Sequence, residues 1–461
     1  MSKKIPKPAM NRRRFLTNTL AIGGGALAFG QADALRNLVH AQATNLDAPD
    51  RYYVFCYFGG GWDVLLSLDP RDPREYPSTE DSLRHTQIQP GYELQQRPDV
   101  DVVRTPEGHV FGPYMGDLLR HSSRLTVVRG MNMETVAHSG GRRRFLTGKA
   151  PSGTLARGSN ASTWLAGKLG ENNLIPNLSL RVESYNRDQP NYATALRVSN
   201  VPDLLRALAP TDPVLSPRLS RQIDEALKAT SICPDSKLSL AWQKAEYARN
   251  QSNEVVRGNL SSVFNFGARN PQMNDLRQRY NFNNVDNSPN VSAALAAQAI
   301  TNGVSRCVTV NLVGGLDSHG GQQWAADQGP RQEAGFNAVA RLVDHLSELD
   351  YDANSKWIDH TTIIGFSEFS RTPLLNLGGG RDHHITNSCF LIGGGVRGGQ
   401  VIGASSNVGM QATNVSLQTG RVDPGGEVLR PEHVLRTLFD EVGIDGSPDL
   451  RVSRIEPLLR G

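Results

Sequence analysis

The chain has 461 residues, of which 49 are Lys or Arg, 45 are Asp or Glu, and 38% are hydrophobic. The basic excess lies in the first 43 residues, which hold seven basic residues and one acidic residue, so 42 basic and 44 acidic residues remain. This balance argues against binding to nucleic acid or to an acidic membrane surface through overall charge. About 418 residues remain, enough for one large α/β domain or two smaller ones.

Residues 1–43 are typical of a targeting leader and are set aside from the fold. Residues 12–16 match the twin-arginine pattern of two arginines, any residue and Phe-Leu, and residues 20–30 supply an apolar run too short to span a bilayer. Cleavage is predicted after Ala43, with Ala34 as the alternative site. A basic arm or a membrane-anchored helix is the alternative interpretation. We therefore predict export by the twin-arginine translocase to the periplasm or beyond, with no stable membrane span.

The first apolar run, Tyr52–Phe58, predicts a strand that is buried on both faces. It leads through three glycines, residues 59–61, to Asp63. A carboxylate at the carboxyl end of a strand suits a metal ligand, although Asp63 can equally cap a helix.

Short apolar runs predict further strands at residues 124–129, 176–181, 306–313, 361–366 and 388–392. Helical spacing predicts helices at residues 162–170, 201–208, 220–248, 291–302, 332–349 and 432–442. The helix at 332–349 carries one apolar stripe, formed by Phe336, Val339, Leu342, Val343, Leu346 and Leu349. Strands that alternate with helices predict βαβ units and a mostly parallel sheet.

Two regions lack a clear helical or strand pattern. Residues 69–106, rich in Pro, Asp, Arg and Gln, predict a long excursion over the site, and residues 250–289, rich in Asn, predict a loop or lid. The four cysteines do not form a disulfide framework at this length. Cys56, Cys307 and Cys389 lie in strand-like runs and are predicted to be buried free thiols, although one disulfide stays an alternative.

Two later strands also end in polar, metal-capable side chains. Asp317 and His319 lie on a glycine-flanked loop, which a turn can form without any metal. Glu368 and Arg371 follow the next strand along the chain. These two can form an i, i+3 ion pair, or Arg371 can face an anionic substrate.

Asp382, His383 and His384 form the densest group of candidate ligands, three in a row on a glycine-rich segment. Ligands of open α/β sheets collect outside the carboxyl ends of the strands, so we expect all these motifs to converge on one edge. Imidazole and carboxylate groups bind divalent ions. The sequence therefore predicts a metal site formed by Asp63, Asp317, His319, Glu368, Asp382, His383 and His384.

Together the motifs resemble a family of twin-arginine-exported bacterial proteins, a domain of unknown function within the alkaline phosphatase and sulfatase-like superfamily. The matching segments span essentially the whole chain after the leader: residues 60–63, 317–319, 367–373, 382–384 and 393–403. The resemblance implies one alkaline phosphatase-like α/β domain over residues 44–461. It also implies a central, mainly parallel sheet sandwiched by helices, with long loops and a metal site at the strand carboxyl ends.

Residues 138–148 are similar to the stretch that carries the Cys or Ser nucleophile of sulfatases. In this alignment Arg142 falls on the family arginine, His138 stands at the nucleophile position and Ser139 comes next. A histidine cannot become the formylglycine of a sulfatase. Three alternatives follow: Ser139 attacks from a shifted loop, His138 attacks or binds a metal, or the site is degenerate.

The resemblance implies an exported, metal-dependent hydrolase of a phosphate ester, sulfate ester or related anionic group, on a small molecule or a polymer. One or two divalent ions, zinc, manganese or calcium, would polarise the ester, and Arg142 and Arg371 would hold its anionic oxygens. Phe369 replaces the histidine of the superfamily's Asp-His metal motif and Glu368 its aspartate, which leaves metal number and identity open. The alternative is a non-catalytic exported binding or assembly protein with a degenerate site.

Overall fold

The computed structural model describes residues 49–97, 100–208 except 151 and 154, 260–444 and 450–460, with residues 216, 218, 219, 222 and 225. The predicted leader, Cys233 and nearly all of the helix predicted at 220–248 lie outside these residues. The predicted domain boundary after Ala43 therefore stays a prediction.

Eight described strands form the central sheet. In chain order they are β1 (Tyr52–Phe58), β2 (Leu125–Asn132), β3 (Asn177–Leu180), β4 (Leu196–Val198), β5 (Cys307–Val313), β6 (Thr361–Phe366), β7 (Thr386–Gly393) and β8 (Gln400–Ile402). Their spatial order is β8-β2-β7-β6-β1-β5-β3-β4. Every neighbouring pair is parallel except the two pairs of β7, which runs antiparallel to β2 and β6. The predicted α/β fold with a mainly parallel sheet is confirmed.

Eight α-helices of seven or more residues are described. They are α1 (Glu80–Thr86), α2 (His138–Thr147), α3 (Ala161–Leu169), α4 (Val201–Leu208), α5 (Pro271–Arg279), α6 (Pro289–Thr301), α7 (Gly329–Glu348) and α8 (Pro431–Glu441). The remaining helical segments, which are 3-10 or π helices or short α-helical turns, are Val64–Leu66, Tyr92–Leu94, Gly116–Arg124, Asn191–Ala193, Ser261–Phe264, Gly321–Gln323, Trp324–Gln328, Trp357–His360 and Glu456–Leu458. None of the described helices is both long enough and apolar enough to cross a bilayer.

Strand β1 shows why its sequence is continuously apolar. Alternate side chains of a strand point to opposite faces, and both faces of this sheet are covered. Four residues face the core that contains α6 and α7, namely Tyr52, Val54, Cys56 and Phe58. Tyr53, Phe55 and Tyr57 face the core that contains α2, α3 and α8.

The apolar stripe predicted for α7 is buried at five of its six positions, and Leu349 at its end is partly buried against the same core. Cys56, Cys307 and Cys389 are buried free thiols, as predicted. Burial in apolar surroundings raises the pKa of the Cys56 thiol to about 12. These thiols therefore act as small core side chains.

The prediction of a loop or lid at residues 250–289 is wrong for the part that the structure describes. This part holds Ser261–Phe264 and α5, and its apolar residues are buried in the core, among them Phe264, Met273 and Tyr280. A few large apolar side chains fix these helices despite the surrounding asparagines.

Residues 69–106 do pass beside the predicted site. The carbonyls of Gln89 and Pro90 accept hydrogen bonds from Arg381 Nη2, at 2.5 and 3.1 Å. This contact ties the excursion to the segment that carries Asp382.

Candidate metal centre

The candidate ligands meet at one edge of the sheet because of strand direction. Strands β1, β2, β5 and β6 run parallel to one another, so their carboxyl ends share this edge. Asp382 and His383 differ from the other motifs, because they precede a strand, β7, rather than follow one. They reach the same edge because β7 is antiparallel and begins there.

Four side chains come together and are named here the ligand cluster: His138, Asp317, His319 and His383. One ligand atom each of His138, Asp317 and His383 lies within 4.8 Å of the others. The Nε2 atom of His319 lies 3.1 Å from Asp317 Oδ1 and 3.1 Å from His383 Nε2. The cluster thus gathers three imidazoles around one carboxylate.

The other ring nitrogen of each histidine is held by an acceptor outside the ligand cluster. These acceptors are Glu368 Oε1, 2.8 Å from His138 Nδ1, Asp382 Oδ1, 2.6 Å from His319 Nδ1, and the carbonyl of Val136, 2.8 Å from His383 Nδ1. An acceptor at Nδ1 favours a proton there, which leaves Nε2 as a lone pair. The three Nε2 lone pairs then face Asp317, an arrangement typical of metal-binding histidines.

Asp317 is held in its ionised form. Burial alone raises the pKa of its carboxyl, but the hydrogen bond from Arg371 and the positive charge of Arg371 lower the pKa to about 2. Arg371 Nη2 donates to Asp317 Oδ1 at 2.7 Å. Asp317 therefore contributes a negative charge to the cluster at neutral pH.

Glu368 is buried and accepts several hydrogen bonds. Its oxygens accept from the backbone N–H of Gly60 at 2.9 Å and from Ser367 Oγ at 2.9 Å, as well as facing His138. Burial raises the pKa of Glu368, but these hydrogen bonds outweigh it and lower the pKa. The hydrogen bond to Glu368 in turn raises the pKa of His138.

The Phe369 ring packs against two of the imidazoles. Its ring centre lies 4.1 Å from that of His383 and 4.8 Å from that of His138. Burial lowers the pKa of His383, which favours its neutral, ligand-competent form. The residue that replaces the expected superfamily histidine thus orients two other histidines.

Asp63 lies apart from the ligand cluster. Its carboxylate is fully buried, accepts from Trp324 Nε1 at 2.8 Å and Leu65 N at 3.0 Å, and forms an ion pair with Arg381 Nε at 2.9 Å. The alternative assignment of Asp63 as a helix cap is confirmed, because it caps Val64–Leu66. The contacts of Asp63 give no support to its predicted role as a metal ligand.

His384 also points away from the cluster, because neighbouring residues of an extended segment alternate in direction. Its Nδ1 lies 3.3 Å from the carbonyl of Thr386. Glu368 and Asp382 contact the ligand histidines through Nδ1 rather than joining the Nε2 atoms. The structure thus brings together three of the seven predicted ligands and adds His138.

The two arginines predicted to bind an anion already form ion pairs and hydrogen bonds with other groups of the protein. Arg371 is fully buried and, besides Asp317, donates to the carbonyls of Gly60, Gly61 and Leu316. It does not pair with Glu368, as the helical alternative supposed. Arg371 therefore fixes the loops after β1 and β5 to each other.

Arg142 forms an ion pair with Glu183, Nε to Oε2, at 2.5 Å, and donates to the Tyr57 hydroxyl at 3.3 Å. Ser139, the alternative nucleophile, is exposed at the start of α2. Neither Arg142 nor Ser139 belongs to the ligand cluster.

Three supporting residues were not predicted. Val136 acts through its backbone carbonyl, which any residue can supply, and Phe369 acts through ring packing. Asn376 donates from Nδ2 to Asp382 Oδ1 at 3.1 Å. The position of His138 in the sulfatase-like stretch was the one sequence signal that pointed to an added ligand.

Fold and site together define an α/β protein with a histidine-rich cluster at the carboxyl edge of its sheet. The chain belongs to the DUF1501 family, whose members are described as proteins of unknown function and whose profile matches residues 51–419. A comparison with curated proteins gave no match.

Several solved structures are weakly similar. Ps i-CgsB in complex with k-i-k-neocarrahexaose is 10% identical, with 88% of this chain and 75% of that chain covered and a TM-score of 0.35. A Vibrio parahaemolyticus protein of the alkaline phosphatase superfamily is 10% identical, with 93% and 79% covered and a TM-score of 0.35. The Listeria monocytogenes lipoteichoic acid synthase LtaP is 7% identical, with 93% and 82% covered and a TM-score of 0.37. Similarity at this level carries no conclusion about the function of this chain.

Proposed function

We propose that His138, Asp317, His319 and His383 hold one divalent transition-metal ion, and that the protein is a metal-dependent hydrolase of an anionic ester. One observation carries the metal assignment. The Nε2 atoms of His319 and His383 face each other at 3.1 Å while both Nδ1 atoms face acceptors. Two lone pairs at that distance repel unless a proton or a cation lies between them, and Asp317 Oδ1 beside them also attracts a cation.

The ligand chemistry favours zinc or manganese over calcium. Three imidazole nitrogens and one carboxylate oxygen suit transition metals, whereas calcium takes six to eight oxygen ligands. A single cluster also favours one ion over two. Asp63, which was predicted as a further ligand, is already paired with Arg381.

The exposed side of the cluster is where a substrate would approach. The side chains of Asp317 and His319 are 46% and 47% exposed, whereas Glu368 and Arg371 behind them are buried. When bound, a divalent ion lowers the pKa of a water ligand and polarises an ester oxygen. The buried residues keep the imidazoles oriented and Asp317 ionised.

Water is the proposed nucleophile, rather than His138 or Ser139. Both nitrogens of His138 are engaged, with Glu368 at Nδ1 and Asp317 at Nε2. Ser139 is exposed and outside the cluster. The choice of a phosphate or sulfate ester rests on the motif resemblance alone, because Arg142 and Arg371 are engaged within the protein.

The test is a screen of phosphate and sulfate esters with the purified, metal-loaded protein. We expect turnover that falls at least about 100-fold in His319→Ala, since metal removal takes away the main catalytic group. Ser139→Ala is the matched control and keeps its activity. Equal activity in wild type and His319→Ala would contradict the proposal.

A second candidate function is a non-catalytic binding or assembly protein with a metal-stabilised site. Two observations favour it. Arg142 and Arg371 bind other groups of the protein and so are not free for a substrate, and the four proposed protein ligands are the number typical of structural zinc sites. A metal-loaded wild type without turnover on any ester of the screen would favour this candidate.

We further propose that residues 1–43 direct export by the twin-arginine translocase. Support comes from the Arg12-Arg13 pattern and the short apolar run after it. In cell fractionation, the protein should move from the exported fraction to the cytoplasm in an Arg12→Lys, Arg13→Lys variant. An unchanged distribution would contradict export by this route.

A further inference from the structure

A second polar site lies at the opposite end of α2 from the ligand cluster. The site, named here the basic cleft, has a volume of about 460 Å³ and is lined by Gly148, Lys149, Arg157, Arg430, Glu432 and Arg451, among others. His138 begins α2 and Gly148 follows its last residue. Ten helical residues at 1.5 Å each place the cleft about 15 Å from the cluster.

Two arginines of the basic cleft have no acidic partner among the residues that the structure describes. Arg157 and Arg451 are exposed and enter none of the ion pairs found there. Glu432, the one carboxylate of the lining, pairs with Arg144 and Arg430, and Glu134 pairs with the same two arginines, so neither carboxylate compensates Arg157 or Arg451. The cleft thus presents guanidinium groups whose charge is not compensated within it.

The basic side chains of the cleft come from separate segments of the chain. Lys149 Nζ donates to the carbonyl of Arg157 at 3.4 Å, which joins two parts of the connection after α2. Gly158 makes room for this contact, because an added Cβ there would lie 2.3 Å from Lys149 Nζ. Arg430 caps the amino end of α8, whose helix dipole adds positive potential.

From these features we infer that the basic cleft binds a tetrahedral oxyanion, phosphate or sulfate, either free or as an ester group. Guanidinium groups bind such oxyanions through paired hydrogen bonds, and an amino helix end favours the same charge. This inference does not depend on the proposed hydrolase activity. The cleft is separate from the ligand cluster and contains none of its residues.

The test is calorimetric titration of the chelator-treated protein with inorganic phosphate, inorganic sulfate and phenyl phosphate, at constant ionic strength. Chelation removes any ion from the ligand cluster, so the signal reports on the cleft. We expect saturable binding of the dianions that sodium chloride does not reproduce. Phenyl phosphate that binds more tightly than inorganic phosphate would identify an ester group as the natural source.

Arg157→Gln and Arg451→Gln should each weaken phosphate binding about ten-fold, because each removes one charge-assisted contact. Arg421→Gln is the matched control, an exposed arginine outside the cleft, and should bind phosphate like wild type. His383→Ala should also bind phosphate normally. Absence of saturable binding, or equal affinity in wild type and both cleft variants, would overturn the inference.

Discussion

Single residues of the site divide into those that face the shared centre and those that hold them. His138, His319 and His383 each have one nitrogen toward Asp317 and one toward a fixed acceptor. The acceptors orient the rings and favour the tautomer whose Nε2 lone pair is available. Glu368 and Asp382, predicted as ligands, act in this supporting way.

This division makes a specific prediction for Asp382. Asp382→Ala should raise the metal dissociation constant about 10- to 100-fold without abolishing binding, because His319 loses its Nδ1 acceptor and keeps its Nε2. Competition with a metal-chelating dye measures the constant. Asp81→Ala, an exposed aspartate on α1, is the control. Complete loss of the metal would instead identify Asp382 as a direct ligand.

Asp69 is expected to stabilise the fold through Arg71, which is buried, and Arg129, which is partly buried. Its carboxylate accepts from Arg71 at 2.9 Å, lies 3.8 Å from Arg129 and accepts from Ser405. Burial raises the pKa of Asp69, but the charges of Arg71 and Arg129 and these hydrogen bonds lower it overall. Asp69→Asn should reduce the free energy of unfolding at pH 7 by about 3–5 kcal/mol, since it leaves the arginines unpaired.

The pH dependence of this effect has a definite sign. Because the pKa is lower in the folded protein, the stabilisation is complete above the ordinary value of about 3.9 and disappears as the pH falls through the folded pKa. The difference in unfolding temperature between wild type and Asp69→Asn should therefore become smaller below about pH 4. Asp81→Asn is the exposed control. A difference in unfolding temperature that grows as the pH falls would contradict the stabilising role of the ionised Asp69.

The sequence was sufficient to predict the kinds of ligand but not their separate roles. Asp317, His319 and His383 follow from the motifs, because strand ends and metal-capable residues are visible in sequence. Which nitrogen of a ring faces the centre depends on tertiary contacts such as the Val136 carbonyl and the Phe369 ring. The pairing of Asp63 with Arg381 likewise joins residues more than 300 positions apart.

At the scale of elements, α2 places His138 beside Glu368, which follows β6. Its glycines differ in their surroundings: a Cβ on Gly141 would lie 2.1 Å from the carbonyl oxygen of Glu368, whereas one on Gly140 would meet only side-chain atoms of Thr135 and Ala137, at 3.1 Å or more. Gly141 therefore allows α2 to approach the end of β6. This close approach sets the contact between His138 and Glu368.

Gly141→Ala should push α2 away from Glu368 and weaken metal binding at least about ten-fold, through loss of the acceptor at His138. The same variant should unfold at a lower temperature. Gly140→Ala is the matched control and should keep its metal affinity, with stability changed by no more than about 1 kcal/mol. Wild-type metal affinity in Gly141→Ala would show that the close approach does not position His138.

The direction of β7 in the sheet could not be predicted from the sequence pattern. The apolar run near residues 388–392 predicted β7 correctly, but a buried run looks the same in parallel and antiparallel sheets. Only the pairing with β2 and β6 shows that β7 begins at the site edge. That direction is why Asp382 and His383 precede a strand and still join residues that follow strands.

At the scale of the whole molecule, one sheet edge collects segments from across the chain. Two cores, one on each face of the sheet, fix the strands and so fix the edge. The sequence predicted this architecture because buried strands and amphipathic helices have distinct periods. It did not predict the helices between residues 260 and 289, where a few buried apolar residues are outnumbered by polar ones.

The most direct test of the central claim is elemental analysis of the purified protein, compared with Asp317→Ala and Ser139→Ala variants. We predict about one equivalent of zinc or manganese in wild type and Ser139→Ala, because the four side chains of the ligand cluster are proposed to share one ion. Asp317→Ala should lose it, since the variant removes the charge that the imidazoles share. A folded wild type that takes up no transition metal, or equal metal content in Asp317→Ala, would contradict the assignment.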